Sequence, residues 1–402
     1  MPRSSRATGP DPAGGTLLGP EDQPALHALV AEIAARTRLP SPDRVRLLAG
    51  TEARSGREGG FIGLGGARTV SIGLGLLSVQ TAAELAATLG HELRHLALPR
   101  ALPLPVPGLA ARRARARELS ADRAAVRAAG KAAHASAIAG AIRAGPLWEA
   151  FWQSEVEPLL VHGFRPVNLY DGFAAFDAAV DEHGLGARVS DAVEAAPAEG
   201  DHPSVAERLR AVRDLPDPRL PEDARPARSL LSNAERLERA LSAAEIARAS
   251  GRTDLEAVGW TEVADRVWAP RLAAEGRRIA ARVASGWGVP ATPASALRAL
   301  CTSLEGSHDE AAATVLDPAL SGASAVERRR RAPEIASHAL GTLLGCALVE
   351  AGGAWRSELG RPLEVARGAL RIAPWALAAE ALDDRGRIAA LLRMVAEAPQ
   401  RG

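Results

Sequence analysis

The stretch from Ser78 to Leu96 constrains this chain more than any other. It is predicted to form one long helix, with Thr81 as its N-cap and Glu84 three residues on, the spacing of a reciprocal cap. That helix carries His91-Glu92-Leu93-Arg94-His95. Residues four apart share a helix face, so both imidazoles can meet one zinc ion. Glu92 projects beside them, where a carboxylate can take a proton from metal-activated water. The fold must then supply a third protein ligand and keep a fourth position open. The flanking sequence suits this. Val70, Ile72 and Leu74 alternate in a half-buried strand expected over Arg68–Leu76, before the helix. Pro99, Pro103, Pro105 and Pro107 form a loop after it, and a second long helix runs from about Leu109 to Arg127.

On that second helix Glu118 and Asp122 stand four residues apart. One carboxylate can bind the metal, and the other can hold a ligand histidine by its free ring nitrogen. The bland reading has both paired with the surrounding arginines on a solvated face.

Three segments resemble the HtpX-like and CAAX-prenyl-protease family of gluzincin metallopeptidases, and they occur in that family's order. Glu84-Leu85-Ala86-Ala87-Thr88-Leu89-Gly90-His91-Glu92-Leu93-Arg94-His95 is similar to its HExxH helix. Glu118-Leu119-Ser120-Ala121-Asp122 is similar to its ExxAD helix, and Asp201-His202-Pro203-Ser204-Val205-Ala206-Glu207-Arg208 to its His-Pro segment. The match covers roughly residues 25–215. The resemblance implies a zincin-like domain with one zinc ion on His91, His95 and Glu118, and Glu92 as general base. It also implies Asp122 as support for a ligand histidine, His202 facing the oxyanion, and Arg208 as a structural tie. Two departures stand out: Asp201 replaces the usual threonine, and Arg94 brings a cation next to the second ligand, though pointing away from the histidine face.

The rest of the chain reads as mainly α with a small β-sheet. Hydrophobic residues make up 47% and aromatic ones only 3%, so alanine, leucine and valine must fill the interior, and these favour helix. Residues 1–20 read as a flexible tail and 21–215 as the metallopeptidase domain. A Pro-rich linker is expected at 216–228, followed by a mostly helical region at 229–402 with a small α+β part at 332–402. Short strands are expected at Arg44–Leu48 and Phe61–Leu64. Trp148, Phe151, Trp152, Phe164, Tyr170, Phe173 and Phe176 read as core anchors. The remaining histidines, His134 among them, have no ligand spacing and read as packed or surface residues. The glycine-rich run Gly59–Gly66 lacks the lysine and helix of a phosphate loop.

Charges cancel to a formal +1, which argues against global attraction to nucleic acid. The Arg328–Arg331 run reads as a solvated helix surface. Cys301 and Cys346 are too few for a disulfide framework and read as buried apolar residues. With no secretory signal and no membrane-spanning apolar run, a cytoplasmic protein is expected. Its arginine-rich loop 100–117 is open to peripheral contact with a membrane. The function expected is a zinc metalloendopeptidase acting on peptide or protein substrates. The alternative left open is a zinc-stabilised scaffold, or a latent enzyme, that binds a partner through its C-terminal helices.

Overall fold

Val45, Leu47, Val70 and Ile72 are the apolar residues of two short strands, and their burial builds a small sheet. In the computed structural model of the chain, residues 15–59, 66–98, 107–182, 203–218, 220–221, 223–306 and 309–396 are described. The chain is mainly helical with small sheets. It divides into two compact units, Met1–Glu256 and Ala257–Gly402.

The first unit opens with β1 (Thr16–Leu18), α1 (Pro24–Thr37), β2 (Arg44–Leu48), β3 (Ala53–Glu58) and β4 (Ala67–Gly73). The sheet order is β1-β2-β4-β3, with β2 and β4 parallel and the outer pairs antiparallel. Two expectations change here. Thr16–Leu18 is no part of a tail: it pairs with Val45–Leu47 and buries Leu18. Three residues are too short a run to show alternation. The strand expected over Arg68–Leu76 ends at Gly73 and lies inside the sheet, with both edges paired. Among the described residues the outer strands are β1 and β3, and β3, which lies beside the histidine-bearing helix, has a polar sequence, Ala-Arg-Ser-Gly-Arg-Glu, that gives no apolar signal. Phe61–Leu64 and most of the glycine-rich run lie outside the described residues.

After β4 the chain turns into α2 (Leu74–Val79), breaks at Gln80, and enters α3 (Ala82–Ala97). The break splits the single helix expected from Ser78, but the cap is the one its spacing predicts. The Thr81 hydroxyl accepts the Glu84 N–H at 3.2 Å, and the Glu84 carboxylate accepts the Thr81 N–H at 2.7 Å. The next two N–H groups, of Ala82 and Ala83, donate to the carbonyls of Arg225 and Asp223 at 2.7 and 3.1 Å. Helix starts need such acceptors, and here the Pro-rich segment provides them. It is therefore fastened to the first unit, and the boundary between units falls after Glu256, not at the linker expected over 216–228.

The second long helix is α4 (Pro107–Ala129). Gly130, at φ +92°, turns it directly into α5 (Lys131–Phe151). The short α6 (Glu157–Val161), α7 (Leu169–Glu182), α8 (Val205–Val212) and α9 (Ala234–Ser250) complete the unit. As expected, aromatic residues of α5 and α7 form core: Phe151, Tyr170 and Phe173 are fully buried, and the Tyr170 hydroxyl donates to Ala49 O at 2.8 Å.

In the second unit, helices Ala269–Trp287, Pro293–Glu305, Asp309–Leu316 and Ala325–Glu350 pack around Leu297, Leu300, Leu340 and Leu344. A three-stranded antiparallel sheet of Ala354–Arg356, Glu364–Arg367 and Leu370–Ile372 follows, and then helix Pro374–Asp383, in the region expected to hold a small α+β part. Ala325–Glu350 is the one helix among the described residues apolar and long enough to cross a membrane. Its apolar half is buried in this unit's core. Gly341 and Gly345 leave room on it for the indoles of Trp375 and Trp355, which stack at 5.7 Å. Arg328 to Arg331 each pair with an acid: Arg328 and Arg329 with Glu310, Arg330 with Glu327, and Arg331 with Asp317. Cys301 and Cys346 are free and buried, and burial pushes their thiols up to about 12 and about 11.

Candidate metal centre

Alanine composition decides how closely α3 and α4 approach. Ala121, Ala124, Ala125 and Ala128 form one fully buried face of α4. Gly90 of α3 sits against it, where an added Cβ would come within 2.6 Å of the Ala128 Cβ. Larger residues at this crossing would hold the helices apart. With these, the next residue, His91, comes to lie over the acidic side of α4.

The result brings His91, His95 and Glu118 together, with their ligand atoms mutually within 4.8 Å. His91 Nε2 and His95 Nε2 are 3.0 Å apart. Glu118 Oε2 lies 3.4 Å from His91 Nε2, and Glu118 Oε1 lies 3.4 Å from His95 Nε2. A tetrahedral zinc with bonds of about 2.0–2.1 Å needs ligand atoms about 3.3–3.4 Å apart, so the spacing fits the group. These three residues can hold a metal ion.

Behind the ligands lies Asp122, fully buried. His91 Nδ1–H donates to its Oδ1 at 3.2 Å. Arg208 of α8 clamps the same carboxylate, with Nε donating to Oδ2 at 3.0 Å and Nη2 to Oδ1 at 2.6 Å. Helix spacing alone leaves open which carboxylate of the Glu118/Asp122 pair faces the ligand atoms, and the family resemblance implies Glu118. The fold puts Glu118 there and Asp122 behind His91. Arg94 reaches from α3 to the Ser120 hydroxyl of α4 at 2.8 Å, and so ties the two helices together away from the ligand atoms.

The electrostatics follow from burial and these contacts. Burial opposes charge on His91, but the hydrogen bonds to Asp122 and Glu118 outweigh it and raise the ring to about 9. His95 is lowered to about 4, first by burial and then by the charge on His91. Near neutral pH the pair thus carries one positive charge, on His91, the ring bonded to the acids. Asp122 is lowered despite its burial, by His91 and Arg208. Glu118 is lowered despite burial by His91. Glu92 is raised by burial, partly offset by the charge on His91 and a hydrogen bond from Ser55 of β3.

Glu92 and His91 line a cavity of about 410 Å3, together with Thr51 and Glu52 just before β3, Ala53 at its start, and a face of α5. Two participants were not legible in the sequence. Ser55 sits in a strand with no apolar alternation, and His134 of α5 reaches the site only because Gly130 folds α5 back along α3. His134 is indeed a packed histidine, but its Nε2 lies 3.7 Å from Asp122 Oδ1. His202 and Asp201 lie outside the described residues, as do His183 and His308. A scan against protein-family models returns no match for this chain, and comparison with curated proteins returns none.

Proposed function

We propose that the chain is a zinc-dependent metalloendopeptidase of zincin-like architecture that hydrolyses peptide bonds, as its resemblance to the HtpX-like gluzincins implies. One observation carries the reading. Two imidazole nitrogens stand 3.0 Å apart and each lies 3.4 Å from an oxygen of one carboxylate, close to the spacing a tetrahedral ion needs, and a buried carboxylate one residue from the first ligand opens with it onto a single cavity.

His91, His95 and Glu118 would hold the ion. Zinc bound there supplies a Lewis acid that makes water nucleophilic near neutral pH and polarises a carbonyl. Glu92, whose carboxyl burial raises, takes the proton of the attacking water and passes it to the leaving amine. Asp122 and Arg208 keep the His91 ring turned with Nε2 outward. On the resemblance, His202 faces the oxyanion. The outer strand β3, whose first residue lines the cavity and whose Ser55 touches Glu92, is the edge on which an extended peptide would pair. A purely structural zinc site closes its fourth position and has no use for a base beside an open cavity.

The test is zinc content and proteolysis together. One zinc per chain in wild type and in Glu92→Gln, with casein cut by wild type alone, would establish the enzyme. Absence of zinc from both would overturn it.

A further inference from the structure

One wall of the cavity beside Glu92 is a single face of α5: His134, Ala137, Ile138, Ala141, Ile142 and Gly145. These positions advance by three, four or one, as residues sharing one helix face do. Exposure rises along them, from 2% at His134 and 5% at Ile138 to 39% at Ile142. His134 therefore sits at the closed end and Ile142 at the mouth. At Gly145 an added Cβ would meet nothing within 4 Å, so the mouth is open there. The wall between carries no charge.

The closed end is polar. His134 Nε2 is buried, and no group among the described residues lies within hydrogen-bond distance of it. Asp122 Oδ1, 3.7 Å away, already accepts from Arg208 and His91. Burial lowers the ring to about 4, so at neutral pH it offers one N–H and one lone pair. A buried polar atom left unpaired is costly, and a ligand group that reaches it removes the cost. Pockets that recognise small groups have this build, mostly apolar with few polar atoms at defined points.

We propose that this cavity receives the substrate side chain flanking the scissile bond, and that His134 selects an uncharged side chain whose apolar stem ends in a hydrogen-bonding group, tyrosine or glutamine. The proposal rests on the metallopeptidase reading above. It makes His134 a specificity-determining residue. The N–H or lone pair of His134 meets the tip, and Ala137, Ile138 and Ala141 pack the stem.

The test uses the full-length, zinc-loaded protein and amino-acid hydroxamates, which anchor on the metal and present one side chain each. Tyrosine hydroxamate should bind about tenfold tighter than phenylalanine hydroxamate, and glutamine about tenfold tighter than leucine, the worth of one neutral hydrogen bond. Aspartate and lysine should bind more weakly than all four. His134→Phe keeps a ring of similar size and should erase both differences at unchanged zinc content. Ala141→Trp, which leaves His134 in place, should weaken the bulky hydroxamates and spare glycine hydroxamate. An unchanged tyrosine-to-phenylalanine ratio in folded His134→Phe overturns the proposal. So does a loss of zinc affinity with the ratio unchanged, which would make His134 a support for Asp122 alone. Peptides carrying the same residues are offered in parallel. Selection among hydroxamates without cleavage of any peptide would overturn the peptidase reading and leave a tyrosine- or glutamine-binding pocket. A protein that takes up no zinc would overturn both.

Discussion

The buried carboxylate of Asp122 lies 3.2 Å from Nδ1 of His91, and this contact fixes which ring nitrogen faces the ligand cluster. Nδ1 donates to the acid, so Nε2 is the nitrogen turned towards His95 and Glu118. Asp122→Asn should weaken zinc binding by about 10–100-fold, the usual worth of such a support. It also leaves Arg208 facing a neutral group in a buried pair, and breaking such pairs costs about 3–5 kcal/mol. Chelator competition reads the first effect and urea unfolding of the metal-free protein the second. Wild-type values in both would remove Asp122 from the centre.

Glu92 stands outside the His91, His95 and Glu118 group and is the base of the proposed reaction. Glu92→Gln should slow peptide hydrolysis by about 10²–10⁴-fold with zinc stoichiometry unchanged. Full activity in the zinc-loaded variant would assign the base elsewhere.

In the metal-free protein His91 is raised from 6.5 to about 9. Below that pH its ring carries the proton that zinc must displace, so zinc binding releases about one proton and strengthens about tenfold per pH unit up to pH 9. The sign for folding is opposite. A raised histidine stabilises the metal-free fold fully below pH 6.5, and that contribution is lost as pH rises through 9. Calorimetric zinc titrations in two buffers of different ionisation enthalpy count the proton directly. A pH-independent affinity between 6.5 and 9 would contradict this account.

Gly90 sets the distance between the two ligand-bearing helices. Gly90→Val should force α3 from the Ala124–Ala128 face, costing about 1–3 kcal/mol as overpacking does. It should also draw Glu118 away from His91 and His95. Thermal unfolding and zinc content should fall together. If Gly90→Val lowers the melting temperature and leaves zinc affinity intact, the crossing does not position the ligands.

Much of this was legible in the residues alone because the signals are local. A capping box needs only Thr81 and Glu84, and a shared helix face needs only the four-residue spacing of His91 and His95 or of Glu118 and Asp122. Buried aromatic anchors and the strand at Arg44–Leu48 announce themselves by chemistry and run length. What the tertiary structure alone decided depends on which elements meet. Spacing alone does not say which carboxylate turns to His91 and His95; the resemblance implies Glu118, and the crossing of α3 and α4 is what sets it there. That β3 is an edge strand while β4 lies inside the sheet follows from strand order, which β3's polar residues do not encode by burial. His134 reads as an ordinary packed histidine until the turn at Gly130 lays α5 beside α3 and sets its ring at the end of the cavity. Local spacing determines the helices and their candidate ligands. The crossing distance set by glycine and alanine, and the path of the chain between helices, determine the site.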